Sequence, residues 1–219
     1  MMMIEVSREL AKPLARHVKP ALPADSKLHP DFHWQAEVAQ IGVDVCLVAQ
    51  EQNTNYILVI CGLTREDFER FPQMFGDRLR REATAICRQA ELYDTPTLSK
   101  HLKTIIDDQQ FRLNPEPVVE GKLINVMEKL ERRFVHDRKP LPVNGKSAFE
   151  FGFLINSRRP KIGHEEDKPT AAEALGNLCL NLVEIQIKAE LDEIEASMPA
   201  ADNIVRIDFS QRKAKHESR

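Results

Sequence analysis

The sequence predicts an α+β fold: an N-terminal antiparallel β-meander packed against helices, followed by a helical C-terminal extension. Three observations carry this reading. Alternation at Trp34, Ala36 and Val38 is followed by two β-forming runs ending at Cys61, apolar residues step by three and four from Phe68 onward, and the longest helical stripe, Thr170 to Ser197, comes last. A chain of 219 residues with 42% hydrophobic side chains can bury a real core, which excludes a disordered or collagen-like polymer.

Taken in order, Ile4 and Val6 suit a short first strand. From Glu9 to Val18 the pattern is weakly helical, and Pro13 limits any helix there by removing a donor. Pro20, Pro23 and Pro30 make the following stretch a loop. Trp34, Ala36 and Val38 then alternate with polar neighbours, Val45 to Ala49 and Tyr56 to Cys61 are β-forming runs, and polar residues join them. The expected product is a three-stranded meander over residues 34–61. Its register stays open: Cys46 and Cys61 oppose each other only if the turn centres on Asn53 and Thr54.

Gly62 closes the third strand, and Thr64 with Asp67 has the spacing of a capping box. Phe68, Phe71, Phe75, Leu79, Ala83, Ile86 and Ala90 form one apolar stripe. Pro72 divides it into a short first turn and a long helix from about Gln73. Further helices are expected over Thr97–Asp108 and Val118–Val135, separated by Asn114-Pro115-Glu116-Pro117. Pro140, Pro142 and Gly145 mark a second loop. Phe149, Phe151, Phe153 and Ile155 suit a strand or an apolar turn of helix equally well. Ser157 to Lys168 reads as a charged loop before the final helix. The expected organisation is a core domain over residues 1–139, a helical extension over 140–210 packed on it, and a basic flexible tail over 211–219.

Several chemistries lack support. The first eight residues have no basic region followed by an apolar one, and no apolar run approaches the roughly 20 residues of a membrane span. Cys46, Cys61, Cys87 and Cys179 show neither C-x-x-C nor zinc-ligand spacing. The expectation is a cytoplasmic protein with reduced thiols, no metal, no cofactor and no membrane partner. Eight scattered glycines form no phosphate-cradling loop. His29 and His33 are four apart, but Pro30 lies between them and the Glu of H-E-x-x-H is missing. The remaining histidines form no triad-like cluster with a Ser or Cys.

The charge balance, 31 Lys and Arg against 34 Asp and Glu, names no partner. Arg78-Leu79-Arg80-Arg81 tempts a nucleic-acid reading, yet Arg65 to Glu82 holds five basic and five acidic residues. The Glu128–Lys139 stretch, from the helix into the following loop, is mildly basic, and the tail Gln211–Arg219 is the other basic segment.

Trp34 to Phe75 resembles a family of small bacterial proteins of unknown function. The resemblance rests on Trp34 and Ala36, Cys46, Thr54 and Tyr56, Gly62 and Leu63, Asp67 and Phe68, and Phe75, which follow that family's order and spacing. The family closes on S-V-x-G before an Asn-Asp pair. Here Val118-Val119-Glu120-Gly121 and Ile124-Asn125 depart from that closing motif. The resemblance implies a compact α+β domain of bacterial or mobile-element origin with no named activity, and the last 80 or so residues extend beyond the usual family length.

The functional expectation is therefore a non-enzymatic interaction or regulatory module with a protein partner, self or other. Self-association is expected through Leu175, Leu178, Leu182 and Ile185 on the last helix. Two alternatives stand beside it. One is an enzyme with a small pocket at His33, Trp34, Tyr56 and Cys61, where Cys61 precedes a helix start that stabilises thiolates. The other is a weak nucleic-acid binder using the basic helix and tail.

Overall fold

The computed structural model describes residues 1–21, 30–88, 95–114, 121–159 and 168–197. His29 in the proline-rich stretch, Pro115–Glu120, most of the Ser157–Lys168 loop and the tail Gln211–Arg219 lie outside them. The chain divides into two compact units, Met1–Glu184 and Ile185–Arg219.

The first unit is built on a six-stranded sheet. Its strands are β1 (Met2–Val6), β2 (Val18–Lys19), β3 (Phe32–Ile41), β4 (Asp44–Glu51), β5 (Ile57–Cys61) and β6 (Gln109–Leu113), in the order β2-β6-β1-β3-β4-β5. β3, β4 and β5 are the expected antiparallel meander. The sheet as a whole is mixed, because β1 runs parallel to both β3 and β6, and β2 parallel to β6. As an interior strand covered on both faces, β1 is almost continuously apolar, and Met2, Ile4 and Val6 are fully buried. β6 had no counterpart in the sequence reading: Gln109-Gln110-Phe111-Arg112-Leu113 buries Phe111 and leaves its neighbours half-covered.

Local chemistry explains the turns. The β3–β4 turn places Gly42 at φ +63°, the left-handed conformation of a hairpin's first central residue. In the β4–β5 turn the buried Glu51 carboxylate accepts from Thr54 N (2.7 Å) and Thr54 Oγ1 (2.8 Å). Asn55 completes that turn at φ 59°. This centres the hairpin so that Cys46 faces Cys61.

Helices cover both faces. α1 (Arg8–Ala11) is a single turn capped by Ser7, whose Oγ accepts from Leu10 N. α2 (Arg65–Glu69) begins with the capping box of Thr64 and Asp67, and α3 (Phe71–Cys87) carries Pro72 in its first turn, where a missing N–H costs nothing. α3 packs against α4 (Thr95–Asp107) and over the sheet. There Phe71 and Phe75 of α3 contact Phe111, and the Trp34 ring meets Phe75 edge-on at 5.7 Å. α5 (Gly121–Val135) covers the opposite face, its Leu123, Val126 and Leu130 joining Val48, Ile57, Val59 and Cys61.

The Phe149–Ile155 ambiguity resolves as helix. α6 (Gly145–Asn156) is capped by Asn144 Oδ1, which accepts from Ser147 N at 2.9 Å. Its buried row is Ala148, Gly152 and Asn156, not the phenylalanines. Those small residues let α6 lie along β5, where Asn156 mimics a neighbouring strand. Its Nδ2 donates to Ile57 O and its Oδ1 accepts from Ile57 N, both at 2.8 Å. The free edge of the meander is thereby covered.

α7 (Ala171–Ser197) opens with Thr170 and Glu173 as a second capping box. Its buried residues are Ala172, Leu175, Gly176, Cys179, Leu180 and Val183, all inside the first unit. Its remaining turns, from Ile185, belong to the second unit. Among the described residues, no helix is long and apolar enough to cross a membrane.

Candidate functional site

Side chains alternate across a strand, so register decides which residues can share a pocket. Trp34 pairs with Glu51, and Glu51 N bonds to Tyr56 O, which puts Trp34 and Tyr56 on the α3 face. His33 is out of phase with Trp34, and Cys61 packs in the cluster with α5 on the other face. The four residues therefore do not line one hollow. His33 sits 3.3 Å from Glu5, and its backbone N donates to Glu51.

Tyr56 instead anchors a buried polar network. Its hydroxyl donates to Glu82 Oε2 at 2.7 Å, while Arg78 Nε donates to Glu82 Oε1 at 2.6 Å. Arg78 also donates through Nη1 to Gly145 O at 2.5 Å. One carboxylate thus joins Tyr56, the residue before β5, to α3, and through Arg78 to the start of α6. Glu82 is only 3% exposed, and burial raises its proton affinity above that of an ordinary carboxylate, opposed by Arg78 and by the Tyr56 hydroxyl. Burial, then the Glu82 charge, pushes the Tyr56 phenol up. The sequence reading weighed Arg78 only in the Arg78–Arg81 basic run and Glu82 only in that helix's charge count, not as partners of each other. The available signal was Glu82's position beside Leu79, Ala83 and Ile86 on the buried stripe of α3, where an acid requires a partner.

Arg78 and Glu82 of this network line a cleft of about 570 Å³ between α3 and the Pro142–Phe149 segment. Val59 and Cys61 reach it from the edge strand β5, and Arg81 and Lys146 also line it. Asp77 is held by Arg80 at 3.0 Å. Because both Glu82 oxygens are engaged by Tyr56 and Arg78, the geometry is that of a structural lock. Cys61 is 4% exposed, and its thiol is pushed up by its hydrogen bond with Cys46 and by burial. That is the opposite of an activated thiolate.

All four cysteines are free and buried. They stand as two neighbouring pairs, Cys46 with Cys61 across the hairpin and Cys87 of α3 with Cys179 of α7. Among the described residues, no three His, Cys, Asp or Glu side chains converge as a metal site.

The strand order, the α3 face and the lock are the setting for the family comparison. Residues 3–109 match the model of DUF6933, a domain of unknown function. The resemblance read from Trp34 to Phe75 lies inside that match and agrees in kind: an uncharacterised family without a named activity. The DUF6933-like segment runs from β1 to the first residue of β6, so α5, α6 and α7 lie beyond it. No curated protein matches the chain.

Past that segment, α7 holds the residues expected to self-associate. Leu175 is fully buried, Leu178 and Leu182 are half-buried, and Ile185 is 63% exposed. The apolar row Leu180, Val183, Ile187, Leu191, Ile194 begins buried, and Leu191 and Ile194 end it at 55% and 50% exposure.

Proposed function

We propose that the protein is a non-enzymatic interaction module that pairs with a second copy of itself through the exposed turns of α7. The observation that carries this reading is the continuity of one apolar row: Leu180 and Val183 are covered by the first unit, while Leu191 and Ile194 stay in contact with water. Burying two such side chains contributes about 1.5–3 kcal/mol each. The segment from Ile185 to Ser197 is about 20 Å long, enough for a short helix pair.

Charge selects the direction of the pairing. With Ile187, Leu191 and Ile194 as the seam, Lys188, Glu190 and Glu195 flank it. In a parallel pair Glu190 faces Glu195 of the second copy, a repulsion. An antiparallel pair with Leu191 against Ile194 sets Lys188 opposite Glu195 and Glu190 opposite Ser197. The antiparallel arrangement is also closed and two-fold, so it ends at a dimer.

Light scattering of the full chain at micromolar concentration tests this. A dimer that Leu191→Glu with Ile194→Glu converts to a monomer of unchanged helicity supports it. A wild-type chain that stays monomeric overturns it. So does a dimer indifferent to that double substitution.

A further inference from the structure

Alternate residues of an antiparallel ladder turn both backbone groups either to the neighbouring strand or away from it. Glu51 N donates to Tyr56 O, so Tyr56 faces β4. Ile57, one residue on, turns outward, where Asn156 of α6 takes both of its groups. Val59 and Cys61 are in phase with Ile57 and turn the same way. Both residues are buried, and among the described residues nothing bonds their outward N–H and C=O groups. The cover that α6 gives to the edge of β5 is complete at Ile57 and fails two residues later.

These groups open into the cleft of about 570 Å³, which Val59, Ile60 and Cys61 line as consecutive residues of the edge. Both ends of the open edge are stopped. Asn156 closes it at Ile57, and at Gly62 the Val143 side chain stands where an added Cβ would lie 3.1 Å away. About three residues of edge stay free, roughly 10 Å at the rise of a strand. Met74, Val143 and Phe149 give the cleft apolar walls. Among its charged residues, Arg78 and Glu82 bond each other, Asp77 is held by Arg80, and Lys146 lies 3.9 Å from Glu150. Arg81 is exposed and has no partner among the described residues. The cleft therefore combines unpaired backbone groups, apolar walls and one uncompensated cation.

We propose that this cleft binds the C-terminal end of a partner protein, about three extended residues with apolar side chains. The peptide continues the ladder beyond β5: its N–H and C=O groups pair with those of Val59 and Cys61, and its terminal carboxylate meets Arg81. Buried backbone groups are costly when unpaired, and an extended peptide is the ligand whose donors and acceptors alternate at the matching spacing. The stoppers at Ile57 and Gly62 exclude a strand that runs straight through, so a chain end fits where a longer strand does not. The volume lies in the range of small-ligand sites. Every lining residue belongs to the first unit, so the proposal stands apart from pairing through α7.

The test is titration of the full, isotope-labelled chain with a set of N-acetylated tripeptides of Val, Leu and Phe, each with a free C-terminal carboxylate. Calorimetry reads the affinity and amide resonances read the place. The expected result is saturable binding of at least one peptide at one site per chain, with the Val59 and Cys61 amide signals shifted and their hydrogen exchange slowed. Arg81→Gln weakens binding about tenfold, as does a C-terminal amide in place of the carboxylate. The two losses do not add, because they remove the same ion pair. A fully N-methylated analogue, stripped of backbone donors, does not bind, and Ala85→Trp, at an exposed helix position on the cleft, blocks every peptide. No binding by any peptide of the set at millimolar concentration overturns the proposal. So does equal binding of the N-methylated analogue, or binding indifferent to Arg81→Gln or to Ala85→Trp.

Discussion

Glu82 shows what one buried carboxylate does for this fold. It is bonded by Tyr56 from the sheet and by Arg78 from its own helix, so removing it strands two donors at once. Glu82→Ala is expected to cost about 3–5 kcal/mol, and Tyr56→Phe about 1–3 kcal/mol, read from urea denaturation. The pH dependence follows from the direction of the shift. Burial places the folded-state pKa of Glu82 above its unfolded value. The associated stability is therefore fully present below the ordinary glutamate range and is lost as pH rises through the raised folded value. Denaturation of wild type and Glu82→Gln across that window should show the wild type's relative stability declining with rising pH; a relative gain would contradict the assignment. At Cys61, a buried thiol of raised proton affinity predicts slow alkylation by iodoacetamide in the native state and rapid alkylation once unfolded. Fast native labelling would reopen the thiolate reading.

Among the elements, the edge strand β5 and the β3–β4 turn are the most exposed to single changes. Asn156 satisfies both backbone groups of Ile57, and Asn156→Ala leaves them buried and unpaired. The expected loss is on the order of 2–4 kcal/mol. Hydrogen exchange at Ile57 should accelerate more than elsewhere in the meander. Gly42→Ala meets two obstacles: φ is +63°, and an added Cβ would lie 2.5 Å from Cε1 of Phe134 on α5. A loss of about 1–3 kcal/mol in denaturation experiments is expected. Thr64→Ala should cost about 1 kcal/mol through its capping box. Most of these elements were legible beforehand. The Thr64–Asp67 signal and the meander each occupy a short window of chain; the break expected at Pro72 falls at Arg70, and Pro72 lies in the first turn of α3. The Phe149–Ile155 run was not, because its apolar alternation is not its buried face. Ala148, Gly152 and Asn156 are small or polar, and only their contact with β5 marks them as the inner row.

At the scale of the molecule, α7 is the expected seat of association. A dimer should fall apart with Leu191→Glu and Ile194→Glu while circular dichroism stays unchanged, and Lys188→Glu should weaken it by removing the attraction to Glu195. Ion pairing of this exposed kind contributes about 0.2–1 kcal/mol, so the Lys188 effect should shrink as salt is added.

By itself the sequence determined the α+β class, the meander, the helix starts at Thr64 and Thr170 and the oily stripe of α7, because periodicity and capping act over neighbouring residues. Only the tertiary structure decided that β1 pairs in parallel between β3 and β6 and that Glu82 locks Tyr56 to Arg78. Each of these joins residues from separate segments of the chain, and such meetings are set by how whole elements pack, which leaves no local pattern to read.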